Sequence, residues 1–368
     1  MTPPHQQPHQ QPHQQPHQPC PRRASRRAVL AGLAGAGTLA ACSGGQGPAA
    51  QPSPATPSPT APPPTAAPPP SPTRAPVLLD LPAPEPYVPL PGEVEPGCKE
   101  AAVDYVTTAL TTGSAQLDPE SPFLDVAAVL DARLRTAGLD PAHAAGLLGL
   151  LPPAGVSAAG VVYPQYGGLS SGRRTASIIL VAEQSLLDAA APDELRRRTL
   201  TVDVRLARSG DTWGVTDVLV PEVDFELAVP ARPQVQAVLD DDRIALPDPA
   251  RFDLLQEDVH VRVAELLSAY AEQWPLAVQD VRSGHPFHVY DTDRPSNHTL
   301  GRAVDIWSFD GVPVIDQERC PWREAMEFAA AWGVTEVGGP ADLGPRPYFS
   351  DLVHQDHVHC GFGAAGLT

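Results

Sequence analysis

The chain has 368 residues, with 43 acidic and 25 basic side chains, a formal net charge of −18 and 46 prolines. Its length implies two or three domains, and so much proline implies extended segments outside any packed core. The acidic balance argues against nucleic acid as a partner and against electrostatic docking on an anionic surface.

The chain opens on low-complexity sequence, with His-Gln-Gln-Pro occurring three times between His5 and Pro16. A His-rich tract can bind metal, but this one precedes a processing signal and carries no catalytic weight. Arg26 and Arg27 form a twin-arginine region, followed by a short apolar run of small residues from Ala28 to Ala41. The run is too short to span a bilayer and reads as an export signal. Leu39 to Cys42 (Leu-Ala-Ala-Cys) resembles a bacterial lipobox. The resemblance implies that residues 1–42 are a lipoprotein signal and that Cys42 is lipidated, in preference to release of a soluble protein. Removing residues 1–41, with four arginines and no acid, takes the formal net charge to −22. The exported compartment is oxidising, so cysteines can pair. Cys320 with Cys360 is the expected disulfide, because both fall in one domain, although spacing alone does not settle the pairing.

Residues 43–97 are rich in Pro, Ala, Ser and Thr and are expected to form a disordered tether. At the extension of a Pro-rich chain its 55 residues reach roughly 150 Å. A first α+β unit is expected over 98–232. Helical patterns start at Glu100, Asp125 and Pro141. Strand patterns follow at 174–183, at 199–206 and, after an Ala-Arg-Ser-Gly-Asp turn, at 212–220. Leu200, Val202, Val204 and Leu206 share one strand face. The closing stretch, Val202 to Val218, resembles the end of a nuclear-transport-factor-like cone domain. No chemical constellation stands out, so this unit reads as a spacer or binding domain without an enzymatic role.

After a Pro-interrupted connection, a second unit is expected over 250–368. Phe252 to Trp274 reads as one amphipathic helix, with Leu255, Val259, Leu266, Tyr270 and Trp274 near one face. Leu276 to Gly284 reads as a strand entering a turn. Pro321 to Gly333 reads as a helix with its proline and glycine at the appropriate ends. The overall class is α+β.

Two short stretches carry the chemistry. In Gly301 to Trp307 (Gly-Arg-Ala-Val-Asp-Ile-Trp), strand alternation puts Ala303, Asp305 and Trp307 on one face. In Asp356 to Phe362 the same period puts His357 and His359 together, while Cys360 turns the opposite way. His298, on the loop before, can fold back across Gly301 towards Asp305. Imidazoles with one carboxylate suit zinc, which keeps a fourth position for water in catalytic sites. His285 and His288 read as ordinary loop residues near this site.

The pattern Ser296-x-His298-x-x-Gly301-x-Ala303-x-Asp305, together with His357-Val358-His359, resembles the zinc D-alanyl-D-alanine carboxypeptidases and related endopeptidases. That superfamily also includes lysostaphin-type peptidases and the hedgehog signalling domain, and the resemblance covers about residues 250–365. It implies that His298, Asp305 and His359 are zinc ligands. His357 would then stabilise an oxyanion or shuttle a proton. Asp356 occupies the position of the general-base Glu of some relatives, but alternation points it away from His357 and His359. Relatives often carry Ser-Gly-Tyr-Arg, with the arginine orienting substrate; here Ser283-Gly284-His285-Pro286 stands in its place. Arg282, Arg294 or Arg302 is the expected replacement, with Ser296 beside them in substrate binding. The resulting expectation is a monomeric, membrane-anchored zinc peptidase at the outer face of the cytoplasmic membrane. It would cut peptidoglycan peptides as a carboxypeptidase or an endopeptidase. The rival is a non-catalytic cell-wall binding lipoprotein with a peptidase-like metal domain.

Overall fold

Residues 77–117, 125–223 and 230–364 are described by a computed structural model. The signal segment, Cys42 and the tether as far as residue 76 lie outside them. Residues 77–97, expected as tether, are instead part of the fold. Strand β1 (Val77–Leu79) pairs antiparallel with β2 (Ala115–Leu117). Leu79 and Leu81 are buried with Val156 and Ala158. Apolar burial there outweighs the extended preference of the flanking prolines.

Helix α1 (Pro96–Leu110) starts on a proline in its first turn and buries Ala102, Val103, Val106 and Leu110. Helix α2 (Val126–Thr136) is capped by Asp125, whose carboxylate accepts from Ala128 N at 3.0 Å. The third expected helix is two short 3-10 turns, Pro141–His143 and Ala145–Leu150. Its two glycines and single apolar stripe do not sustain a longer helix. A four-stranded antiparallel meander follows: β3 (Gly155–Leu169), β4 (Thr175–Asp188), β5 (Ala191–Ser209) and β6 (Thr212–Leu219). One face carries Ile178, Leu180, Val202 and Val204 onto α1. The other face is buried as well. Ile179, Thr201 and Asp203 lie at or below 3 % exposure. Burial on both faces explains the nearly continuous apolar run of β4.

The second layer begins earlier than residue 250, with α3 (Pro233–Leu239) and β7 (Ile244–Ala245). The segment expected as one helix is two, α4 (Asp248–Leu255) and α5 (Val261–Ala271). The break is imposed from outside. His260 N donates to Gly301 O at 2.8 Å, and the His260 ring caps α5 by accepting from Arg262 N at 3.3 Å. Gly301 has φ +65°, and a Cβ there would overlap the Asp258 carbonyl. Gly301→Ala is therefore expected to lower stability by about 3 kcal/mol, read as a shift in denaturant midpoint at constant slope.

The remaining elements are β8 (Leu276–Asp280), β9 (Ala303–Phe309), β10 (Val312–Pro313), α6 (Trp322–Trp332), β11 (Glu336–Gly338), β12 (Tyr348–Phe349) and β13 (Val358–Gly361). They form a sheet in the order β12-β11-β13-β9-β8-β7, with β10 on β9. Helix α6 ends at Gly333 in the left-handed conformation, φ 103°. Tyr270 anchors the core beneath the sheet among Trp274, Phe309 and Phe328. Cys320 and Cys360 do not form the expected disulfide. Both thiols are free and buried, and Cys360 Sγ packs 3.5 Å from the Tyr270 hydroxyl. Burial pushes both thiols up to about 12, which keeps them protonated and unreactive. Among the described residues no helix is long and apolar enough to cross a membrane.

Candidate metal centre

Strand register builds the centre. Asp305 on β9 lies opposite Asp280 on β8 and opposite His359 on β13, so three polar side chains form one row across three strands. His298 arrives from the loop before β9, turned back at Gly301, whose N–H donates to His298 O at 2.8 Å. His298 Nε2 is 3.2 Å from Asp305 Oδ1 and 3.2 Å from His359 Nδ1, and those two atoms are 2.8 Å apart. All three residues are buried.

Two imidazole nitrogens and a carboxylate oxygen thus converge on one point. A proton can bridge only one pair at a time, whereas a cation satisfies all three. Ligand atoms of a tetrahedral zinc stand roughly 3.3 Å apart, close to these separations. His285, read from sequence as a loop residue, belongs here too. With His298 and Asp305 it forms a group whose ligand atoms lie within 4.8 Å of one another and which can hold a metal ion. Its ring stacks on His298 at 4.0 Å between centroids. Its Nδ1 contacts Pro286 O at 2.8 Å, leaving Nε2 available.

The electrostatics suit a cation. Burial alone would raise the Asp305 carboxyl, but His298 and His357 hold it well below the ordinary carboxylate range. Burial lowers His359 to about 4 and lowers His285 as well, so each ring is neutral and keeps one nitrogen unprotonated. For His298 burial is opposed and outweighed by Asp305 and Asp280, which raise it well above an ordinary histidine. Its Nδ1–H donates to Val281 O at 2.8 Å, which orients Nε2 towards the centre. Asp280 Oδ1 is also 2.9 Å from this nitrogen, so the Nδ1 side of the ring lies against a carbonyl and a carboxylate together.

His357 stands beside the centre, its Nε2 3.5 Å from Asp305 Oδ2. Asp356 does not point away as alternation predicts, because β13 starts only at Val358 and the backbone is irregular before it. Instead Asp356 Oδ1 is 2.7 Å from His357 Nδ1, behind the imidazole as seen from the cleft. Asp356 also accepts from Lys99 Nζ at 2.7 Å and from Tyr166 N at 3.2 Å. Lys99 in turn lies 2.6 Å from Glu93 and over the rings of Tyr163 and Tyr166. One buried cation serves two carboxylates, so they differ. Lys99 holds Asp356 low against its burial, while burial raises Glu93 to about 7.

Glu93 therefore binds its proton more tightly folded than unfolded. Its contribution to stability is complete below about pH 4.5 and is lost as pH rises through about 7. Glu93→Gln should remove that loss. Its melting temperature relative to the parent is expected to rise between about pH 5 and about pH 8; an equal difference at both pH values would contradict this.

A cleft of about 570 Å³ opens over the centre. Asp305, His285, His357 and His359 line it, with Phe349, Leu352 and Val353 on one side and Tyr166 to Leu169 of β3 on another. The first unit, read from sequence as a spacer or binding domain, therefore forms part of the cleft wall. Of the residues expected to bind substrate, Ser296 lines the cleft, but Arg282 and Arg302 do not. Arg282 pairs with Asp258, and Arg302 reaches back to Asn297 Oδ1 at 3.3 Å. Arg294 lines the cleft, 3.3 Å from Glu336. Ser283, in the Ser-Gly-His-Pro turn, is held by buried Asp253, which accepts from Ser283 Oγ at 2.5 Å and from Ser283 N at 2.7 Å.

Lys99, Gln165 and His285 escaped sequence reasoning. Lys99 is the one readable exception: it falls on the apolar stripe of α1 with Ala102, Val103 and Val106, where a lysine needs a buried partner. No protein-family model matches the chain, and no curated protein matches it. Among solved structures it is similar to the intermembrane space region of the chloroplast protein ARC6. The identity is 19 %, over 28 % of this chain and 71 % of that one, with a TM-score of 0.17, too low to carry an argument.

Proposed function

We propose that this protein is a zinc peptidase acting on peptidoglycan peptides, as carboxypeptidase or endopeptidase. In this reading residues 233–364 are a domain of the D-alanyl-D-alanine peptidase and hedgehog type, and the meander domain before it is cone-like. The observation that carries the reading is the convergence of His298 Nε2, Asp305 Oδ1 and His359 Nδ1 beside a cleft, with His357 next to them. These three residues would hold the ion. Zinc bound there supplies a Lewis acid that polarises a carbonyl and acidifies water.

The chain's own residues do the rest. Asp356 engages His357 at Nδ1, so Nε2 faces the cleft and can take a proton from the attacking water and pass it to the leaving amine. Asp356 orients this imidazole and does not itself reach the cleft. Arg294 supplies the cationic side chain of the cleft and can hold a peptide carboxylate, with Ser296 lining the same wall. Phe349, Leu352 and Val353 exclude water from the scissile bond. Lipid attachment at Cys42 and a tether from residue 43 would place the domain at the outer face of the cytoplasmic membrane, as a monomer.

His285 favours a second reading. As a fourth ligand it would close the centre, and the protein would be a cell-wall binding lipoprotein without turnover. The test is zinc content and peptide release from peptidoglycan sacculi by the purified protein. About one zinc per chain with released peptides supports the peptidase. Zinc without release from any wall substrate supports the binding protein.

A further inference from the structure

The second face of the meander sheet bears on the metal centre. Tyr163 and Gln165 lie two apart on β3 and are both buried. Tyr163 stacks on Trp307 of β9, with centroids 4.7 Å apart and planes within 5°. Gln279 of β8 crosses the other way and donates to Tyr163 O at 3.1 Å and Ile179 O at 2.8 Å. Between these fixed points Gln165 Nε2 donates to Asp305 Oδ2 at 2.6 Å. Asp305 Oδ1 faces His298 and His359, so one carboxylate oxygen points at the centre and the other is held from the opposite sheet.

We propose that Gln165 is a positioning residue of the metal centre: the meander domain, through this amide, fixes the carboxylate that binds the ion. A free Asp carboxylate rotates about its last torsion and can present either oxygen or both. The amide removes that freedom by occupying Oδ2, leaving Oδ1 as a monodentate donor between two imidazoles. Gln165 is itself immobile. It is fully buried, on a strand paired along its length with β4 and pinned on either side by the Tyr163–Trp307 stack and the Gln279 bridges. Among the described residues its Oε1 has no hydrogen-bond donor, so the side chain keeps a buried acceptor without a partner there. The centre is therefore built by both sheets, and the domain carrying the three ligands holds only part of what sets its metal affinity.

This inference rests on the ligand set proposed above but not on turnover. The experiment uses the full chain and its Gln165→Met variant, which keeps side-chain length and loses the donor. Zinc affinity is read by competition with a chromophoric chelator, and the visible spectrum of the cobalt-loaded protein reads the ligand geometry. Melting of the metal-free forms reads the fold. Expected for Gln165→Met is zinc binding about 10- to 100-fold weaker and an altered cobalt spectrum, with metal-free melting lowered by no more than the loss of one buried hydrogen bond explains. Zinc affinity within about twofold of the parent and an identical cobalt spectrum would overturn the proposal, as would a loss confined to metal-free melting. A parent chain that binds neither metal overturns it together with the ligand set. A parent that binds zinc but cuts no peptide sinks only the peptidase reading.

Discussion

His359→Ala is expected to abolish stoichiometric zinc binding and to lower peptide release by about three orders of magnitude, equivalent to ~4 kcal/mol of barrier. His359 Nδ1 supplies one corner of the proposed ligand triangle, and His285 is the one neighbouring imidazole placed to take over. Asp305 already spends its second oxygen on Gln165, and His357 spends Nδ1 on Asp356. The measurement is metal content by elemental analysis beside peptide release under matched conditions. Retention of one zinc by His359→Ala would transfer the centre to His285, His298 and Asp305 and would favour the closed, non-catalytic reading.

Lys99→Met should have the largest effect on stability. It lowers the melting temperature by roughly 10 °C through loss of about 3–5 kcal/mol. Lys99 is completely buried, paired with Asp356 at 2.7 Å and Glu93 at 2.6 Å under two aromatic rings. Methionine fills its volume but strips Asp356 of its lysine, leaving a buried carboxylate held only by His357 and Tyr166 N, which costs more than an exposed pair is worth. The same substitution in an Asp356→Asn background should cost less, because no charge is then stranded, and thermal melts of the four proteins give the difference. Equal costs in both backgrounds would mean that the pair contributes nothing. The effect reaches the cleft as well, since Lys99 and Tyr166 N hold the carboxylate that orients His357.

What the sequence by itself determined is local. The turn between β5 and β6, the glycine end of α6 and the buried alternation of Leu200, Val202, Val204 and Leu206 follow from spacing that the chain enforces within a few residues. The same holds for Asp305 on one strand, and His359 on another, as inward-facing polar residues: period two decides the face, and the face is what a motif encodes. Tertiary structure decided everything that depended on which strands meet. The break between α4 and α5 was hidden because its cause, the backbone at Gly301, lies some forty residues away. The free thiols were hidden for the same kind of reason, since Cys360 meets Tyr270 and not Cys320. Arg294 faces the cleft and Arg282 does not because loop paths, which carry no periodicity, set the difference. Gln165 and the partners of Lys99 were least legible of all. A polar residue in an apolar strand or helix announces that it has a partner, but the partner is named only when two separately patterned sheets pack face to face.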